Sequence, residues 1–164
     1  MTHPFDVLKL DNGATFIFTP CPGTKEADLT TSIATLKSAG ASVIVSLLTN
    51  EEFANLGVTK LGHEIARQHL AWYQLPIEDD EAPAQPFFSA FKCVKSELLA
   101  HIDKQETIAI HCRGGSGRTG LMAAILLLER GQPWPQVKTQ IQSIRPKALT
   151  LDPHLQHLNE FYLS

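Results

Sequence analysis

A short apolar run, Thr107-Ile108-Ala109-Ile110, passes through the turn His111-Cys112-Arg113-Gly114-Gly115-Ser116-Gly117-Arg118-Thr119-Gly120 into a second apolar run, Leu121-Met122-Ala123-Ala124-Ile125-Leu126-Leu127-Leu128. The first run predicts a buried strand. The second, longer and free of Pro and Gly, predicts a buried helix. A strand that feeds a helix through a glycine-rich turn points to an α/β architecture, in which helices cover a sheet. It also gathers backbone amides at the positive end of the helix dipole, where anions bind. Gly114, Gly115 and Gly117 let the backbone curl so that successive N–H groups face one centre.

Chemistry-bearing side chains frame this turn. Cys112 opens it and Arg118 closes it. A sulfur at the base of such a nest meets the amides and dipole that bind phosphate, and these favour the nucleophilic thiolate. Arg118 offers a planar fork for two phosphate oxygens. Thr119 adds a hydroxyl beside the sulfur, to stabilise the thiolate when it departs from phosphorus. His111 precedes the Cys, where its ring can bond nearby backbone and hold the turn in shape.

His111, Cys112, five intervening residues, Arg118 and Thr119 together resemble the His-Cys-x5-Arg-Thr/Ser signature of the cysteine-dependent protein tyrosine and dual-specificity phosphatases. Several segments resemble the kinase-associated phosphatase group within that superfamily. These are Thr19-Pro20-Cys21-Pro22-Gly23-Thr24-Lys25, with the Cys and Gly order altered, Leu36-Lys37-Ser38-Ala39-Gly40, Leu75-Pro76-Ile77-Glu78-Asp79, and the Cys112 to Arg118 loop. The likeness runs from about residue 15 to the C-terminus. It implies a three-layer α/β phosphatase fold, with a mostly parallel twisted sheet of about five strands flanked by helices. It also implies one phosphatase domain over residues 1–164, needing no metal or other cofactor.

The implied reaction is hydrolysis of a phosphomonoester on a protein or peptide, phosphotyrosine and also phosphoserine or phosphothreonine, through a phosphocysteine. A poor oxygen leaving group must be protonated, which calls for a carboxylic acid near the thiolate. The run Glu78-Asp79-Asp80-Glu81, followed by Pro83 and Pro86, reads either as a solvated loop or as the loop carrying that acid. In the resemblance, Pro-Ile-x-Asp assigns the acid to Asp79, with Asp80 one register away as the rival. Arg113, Gly114, Gly115, Ser116, Gly117 and Arg118 are the implied substrate-binding residues. Arg113, a cation after the Cys, would favour polyanionic substrates or else only face water.

Farther on, Ile144-Arg145-Pro146-Lys147-Ala148-Leu149-Thr150 resembles the superfamily's Arg-Pro-Gly-Ala-Ile-Gln segment. There the Arg braces the phosphate loop. Thr150 stands where a Gln would place the hydrolytic water, so that role does not transfer. Two other classes also use parts of this pattern. A rhodanese-like sulfurtransferase uses a Cys in a curled loop without a general acid, and a phospho-binding pseudo-phosphatase keeps the pocket without turnover. The acid segment and His111 favour the phosphatase over the first. The presence of both Cys112 and Arg118 favours it over the second. Low-molecular-weight phosphatases and arsenate reductases carry the Cys loop early in the chain, unlike Cys112.

Composition narrows the setting. The 164 residues carry a formal net charge of −3 and no basic stripe, which argues against nucleic acid as a partner. No apolar run is long enough to span a bilayer, and the N-terminus lacks a basic-then-apolar leader. Three cysteines at unpatterned spacing suggest no disulfide framework. A cytoplasmic, monomeric enzyme without a membrane or nucleic-acid partner is expected.

The remaining elements follow from periodicity. A hairpin is predicted over 5–19 around Asp11-Asn12-Gly13, helices over 27–39 and 60–69, and a central strand over 41–48. Thr49 starts a short helix whose Glu51 and Glu52 serve its first turn. A strand covers 71–77. Helix 87–104 places Phe88, Phe91, Val94, Leu98 and Ile102 on one face, with Cys93 core or near-core and Glu97, His101 and Asp103 outside. Helix 134–144 turns Val137, Ile141 and Ile144 inward. A last helix, capped by Asp152-Pro153, packs on the sheet. Cys21 is expected in a loop near Cys112, where a redox role is open to it. His63 and His69 are expected at the surface or in packing, not as metal ligands.

Overall fold

The computed structural model describes residues 2–163, so Met1 and Ser164, the ends of the expected domain, lie outside the described residues. The predicted hairpin forms from β1 (Asp6–Lys9) and β2 (Thr15–Thr19). The chain continues through α1 (Leu29–Ser38), β3 (Ala41–Ser46), α2 (Asn50–Leu56), α3 (Leu61–Arg67) and β4 (Ala71–Gln74). It then runs through α4 (Gln85–Asp103), β5 (Thr107–His111), α5 (Gly117–Glu129), α6 (Trp134–Gln142) and α7 (Asp152–Leu158), which passes into a π-helical turn, Asn159–Leu163.

The five strands lie in the order β1-β2-β5-β3-β4. Among the described residues only β1 and β2 pair antiparallel; every other pair is parallel. Strand alternation explains the layering, because successive side chains point to opposite faces. Phe16, Phe18, Val43, Val45, Ile108 and Ile110 meet α4, α5 and α6 on one face. Ile17, Ile44 and Ala109 meet α1 and α3 on the other. The expected α/β fold, a mostly parallel five-stranded sheet between helices, is the one observed. Among the described residues no helix is long and apolar enough to cross a membrane.

The register decides where the site forms. His111 at the end of β5 pairs with Thr19 on one side and Ser46 on the other, and Ser46 pairs in turn with Gln74. Four parallel strands thus end at one level, and the segments that follow them gather at their carboxyl edge, where open α/β sheets place ligands. Backbone bonds extend the pairing past the strands: Leu47 N donates to His111 O at 3.0 Å, and Ile77 N to Leu47 O at 3.0 Å.

Several expectations are corrected. Cys93 is exposed. It stands two residues from buried Phe91, about 200° around a helix of 100° per residue, and so faces away from the core. Phe88 and Val94 are only half-buried, and Phe87 takes the inner place. His101 is not free at the surface: its ring bonds the Tyr73 hydroxyl at 3.0 Å. Asp152 is the first helical residue of α7, and extended Leu151 precedes it without a side-chain cap. Helix α7 buries Leu158 in the core on the α4, α5 and α6 face of the sheet and also packs on α4, where its His157 stacks on Phe88 with ring centroids 5.9 Å apart.

Candidate active site

The turn between β5 and α5 is held from below. Gly115 has φ +84°, and a Cβ there would lie 2.6 Å from the Thr19 carbonyl carbon, so this position admits no side chain. Arg145, from the segment after α6, donates Nε–H to the Gly115 carbonyl at 2.9 Å, Nη2–H to the Phe18 carbonyl at 3.3 Å and Nη1–H to Asp6 Oδ2 at 2.7 Å. This is the brace that the resemblance implied. Cys21 N–H donates to the Arg113 carbonyl at 3.0 Å.

Within the turn, Cys112 is buried, with its Sγ accepting from Gly115 N–H at 3.3 Å and from Thr119 Oγ1 at 3.2 Å. Two donors directed at one sulfur stabilise negative charge on it. His111 lies beneath, not in the cavity. Its Nδ1 is 3.0 Å from the Cys112 carbonyl, and its Nε2 meets Ser46 Oγ, which accepts from Trp72 Nε1–H at 2.8 Å. A carbonyl can only accept, so Nδ1 carries the proton and Nε2 receives the Ser46 hydroxyl. Burial pushes the His111 ring down to about 4, which keeps it neutral and preserves this tautomer.

Arg118 is buried and docked on a carboxylate that the sequence reading assigned only to a helix start. Its Nη1 and Nη2 donate to Glu52 Oε1 and Oε2 at 2.7 and 2.9 Å, and Nη1 also donates to the Ile77 carbonyl at 2.8 Å. Glu52 does close a capping box with Thr49 in α2, so one side chain serves both ends. Burial raises its carboxyl pKa, but the Arg118 hydrogen bond and the Thr49 amide outweigh this and hold it below the usual range. Arg118 Nε is buried and has no partner among the described residues.

Asp79 brings Oδ1 to 3.5 Å from Arg118 Nη2 and keeps a largely exposed carboxylate. Asp80 follows with φ +62°, a left-handed conformation that Asp tolerates. Both carboxylates line a cavity of about 400 Å³ together with Cys112, Arg118, Arg113 and His154. Gly114, Ser116 and Gly117 also line it, as do Thr24 and Lys25. Cys112, Thr119, Arg118 and Asp79 are therefore brought together, while His111 supports the turn from behind. Cys21 is buried, and burial, with Cys112 and Glu52 adding, pushes its thiol up to about 12. That is the environment of an inert thiol. Among the described residues no three His, Cys, Asp or Glu side chains gather as a metal-binding group.

Sequence reasoning did not bring Glu52, which binds the Arg118 guanidinium, or His154, on the cavity wall, to the site. For Glu52 the signal was present but absorbed: a capping-box acid accounts for itself locally. For His154 there was none, since a His in the first turn of a C-terminal helix matches no pattern.

Residues 23–157 match the family model of PTP-SAK, described as "Swiss Army Knife protein, DSP-PTPase phosphatase domain". The fold resembles that of a kinase associated phosphatase carrying a serine in place of its catalytic cysteine, with TM-score 0.85 and 22% identity over 98% of this chain and 94% of that one. It also resembles Tk-PTP in its active form, with TM-score 0.72 and 18% identity over 96% of each chain. PTPMT1 in complex with PI(5)P aligns with TM-score 0.69 and 15% identity over 96% of this chain and 94% of that one. With a dual-specificity phosphatase model matched over most of its length and a Cys-Arg turn at the carboxyl edge of such a sheet, the chain belongs to the DSP-PTPase phosphatase domain family of Swiss Army Knife proteins and is a protein tyrosine/dual-specificity phosphatase.

Proposed function

We propose that the chain, as one domain, hydrolyses phosphotyrosine and also phosphoserine or phosphothreonine esters of proteins or peptides through a phosphocysteine intermediate. The observation that carries this reading is the meeting of Cys112, Arg118 and Asp79 in one cavity, with Asp79 Oδ1 3.5 Å from Arg118 Nη2. Cys112 thiolate attacks phosphorus. The amides of Arg113, Gly114, Gly115, Ser116 and Gly117 and the Arg118 guanidinium hold the other oxygens and the charge that develops on them. Asp79 protonates the leaving oxygen, then takes a proton from water in the second step. Thr119 and Gly115 N–H receive the returning thiolate. His111 positions the turn. The enzyme works as a cytoplasmic monomer on a phosphorylated protein or peptide, without a metal.

The chemistry of the acid loop separates this reading from its rivals. Sulfur transfer needs no acid beside the nucleophile, and phosphate binding alone needs no nucleophile. The test is turnover of p-nitrophenyl phosphate and of phosphotyrosine and phosphothreonine peptides by wild type, Cys112→Ser, Asp79→Ala and Asp80→Ala. Cys112→Ser is expected to abolish turnover while still binding phosphate. Asp79→Ala is expected to cost about a hundredfold in kcat on peptides and to lose the basic limb of the pH profile, with Asp80→Ala near wild type. Substantial turnover by Cys112→Ser refutes the nucleophile, and equal losses in the two Asp variants refute the acid assignment.

A further inference from the structure

One buried polar side chain in the cavity has no task in the reaction as described. His154, at the third position of α7, is 1% exposed, and neither Nδ1 nor Nε2 has a hydrogen-bond partner among the described residues. Buried polar groups are nearly always bonded; the Glu81 carbonyl faces the ring, and the nitrogen turned away from it is left bare, which costs free energy unless something that enters the site supplies its partner. The ring lines the same cavity as Cys112, Arg118 and Asp79. It stands over the first turn of α5, since a Cβ on Gly117 would lie 3.9 Å from His154 Cε1.

Its neighbours define what it can bind. Burial favours the neutral ring, while the Glu81 backbone carbonyl and the Asp80 and Asp79 carboxylates pull the other way and Arg118 adds to the effect of burial. A neutral imidazole offers one N–H donor and one lone pair. Leu151 and His154 are the residues that the C-terminal segment contributes to the cavity wall, so His154 is the polar group on that side. Thr150, nearby, is exposed and donates its hydroxyl to the Lys147 carbonyl at 2.7 Å.

We propose that His154 holds the hydrolytic water for breakdown of the phosphocysteine, an assignment that rests on the phosphatase reading above. In this step the water oxygen bonds to phosphorus as the P–S bond breaks. One water proton passes to the Asp79 carboxylate, and the electron pair of the broken bond returns to Cys112 as thiolate. A single contact to Asp79 leaves the water free to pivot. A second, from the other water hydrogen to the open imidazole nitrogen, fixes its lone pair on phosphorus. In the first step the leaving alcohol fills that space, so the contact belongs to the second step alone.

This specificity for one step supplies the test. Burst and steady-state kinetics on p-nitrophenyl phosphate are compared for wild type, His154→Gln, His154→Leu and His154→Phe. The two apolar variants fill the space without nitrogens, and Phe keeps a flat ring if Leu disturbs folding. They are expected to lose about tenfold to a hundredfold in kcat. Their kcat/KM, which reports the first step, is expected to stay within about twofold of wild type. A stoichiometric burst of nitrophenol and labelled phosphate retained on the protein should accompany the loss, and His154→Gln should recover most of kcat. An unchanged kcat, or kcat and kcat/KM falling together without a burst, overturns the assignment. If wild type turns over and the variants match it, only the His154 role falls. A wild type that leaves the ester intact removes the phosphatase reading and this role together.

Discussion

Glu52 shows how one residue can satisfy two demands that lie far apart in the chain. Its Oε1 accepts from Thr49 N–H at 3.1 Å at the cap of α2 and from Arg118 Nη1 at 2.7 Å. The pair fixes the guanidinium plane, which on the proposed mechanism leaves little orientation to be gained when phosphate binds. Removing the charge but not the shape separates the two functions. Glu52→Gln is expected to lower kcat/KM by about tenfold and stability by about 1–2 kcal/mol, because Arg118 is left buried with a weaker partner. Steady-state kinetics and urea unfolding check both. A variant that melts earlier but keeps full kcat/KM would assign Glu52 to the fold alone. At the same scale, Cys21 lies near Cys112 in an environment that keeps its thiol protonated. Alkylation at neutral pH is expected to mark exposed Cys93 and spare Cys21, as peptide mapping would read out.

Among the elements, the turn between β5 and α5 depends on pieces that are distant in sequence. Arg145 links it to β1 and β2 through the Gly115, Phe18 and Asp6 oxygens. A Lys at this position has one nitrogen in place of a fork and cannot make three divergent bonds. Arg145→Lys is therefore expected to cost about 2 kcal/mol in urea unfolding and to weaken phosphate binding, most of it through the freed Gly115 carbonyl. Equal stability and affinity would show that the turn holds its shape unaided. Most elements were legible from periodicity, because an apolar stripe at helical or strand spacing is a local property. Helix α4 marks the limit. Its apolar residues locate a face, but whether Cys93 or Phe87 stands at that face depends on the angle at which the helix crosses the sheet.

For the whole molecule, the buried histidines link folding to pH. The His111 ring is held down to about 4 by burial, and burial also lowers His3, His154 and His157. Between that value and the ordinary imidazole range near 6.5, the unfolded chain binds protons that the folded chain refuses. The unfolded state thus binds more protons in this window, so stability rises with pH across it and falls as the solution is acidified. His111 alone is expected to account for a loss on the order of 3 kcal/mol between neutral pH and about pH 4. The depressed Glu52 carboxyl adds its own loss as pH falls below its ordinary value of 4.5, where the unfolded chain takes up a proton that the folded chain refuses, and this loss is complete once pH has passed the lowered folded value. Urea unfolding at a series of pH values measures the slope. His111→Asn, which keeps a donor for the Cys112 carbonyl but does not titrate, should flatten it. An unchanged slope would move the linkage to the other histidines.

The sequence by itself determined what contiguous residues encode. The alternation of apolar side chains specified strands and helices, and the composition of residues 111–120 specified a glycine-rich turn between strand and helix that carries the Cys112 thiol and the Arg118 guanidinium. The tertiary structure alone decided which distant groups meet that turn. Glu52 lies 66 residues from Arg118, and Arg145 lies 30 from Gly115. Their contacts follow from the strand order β1-β2-β5-β3-β4, which brings four carboxyl ends to one level. His154 reaches the cavity only because α7 folds back against α4 and over the start of α5. Local patterns carry the chemistry of a segment, but they hold no record of which neighbour the packing of the helices will deliver to it.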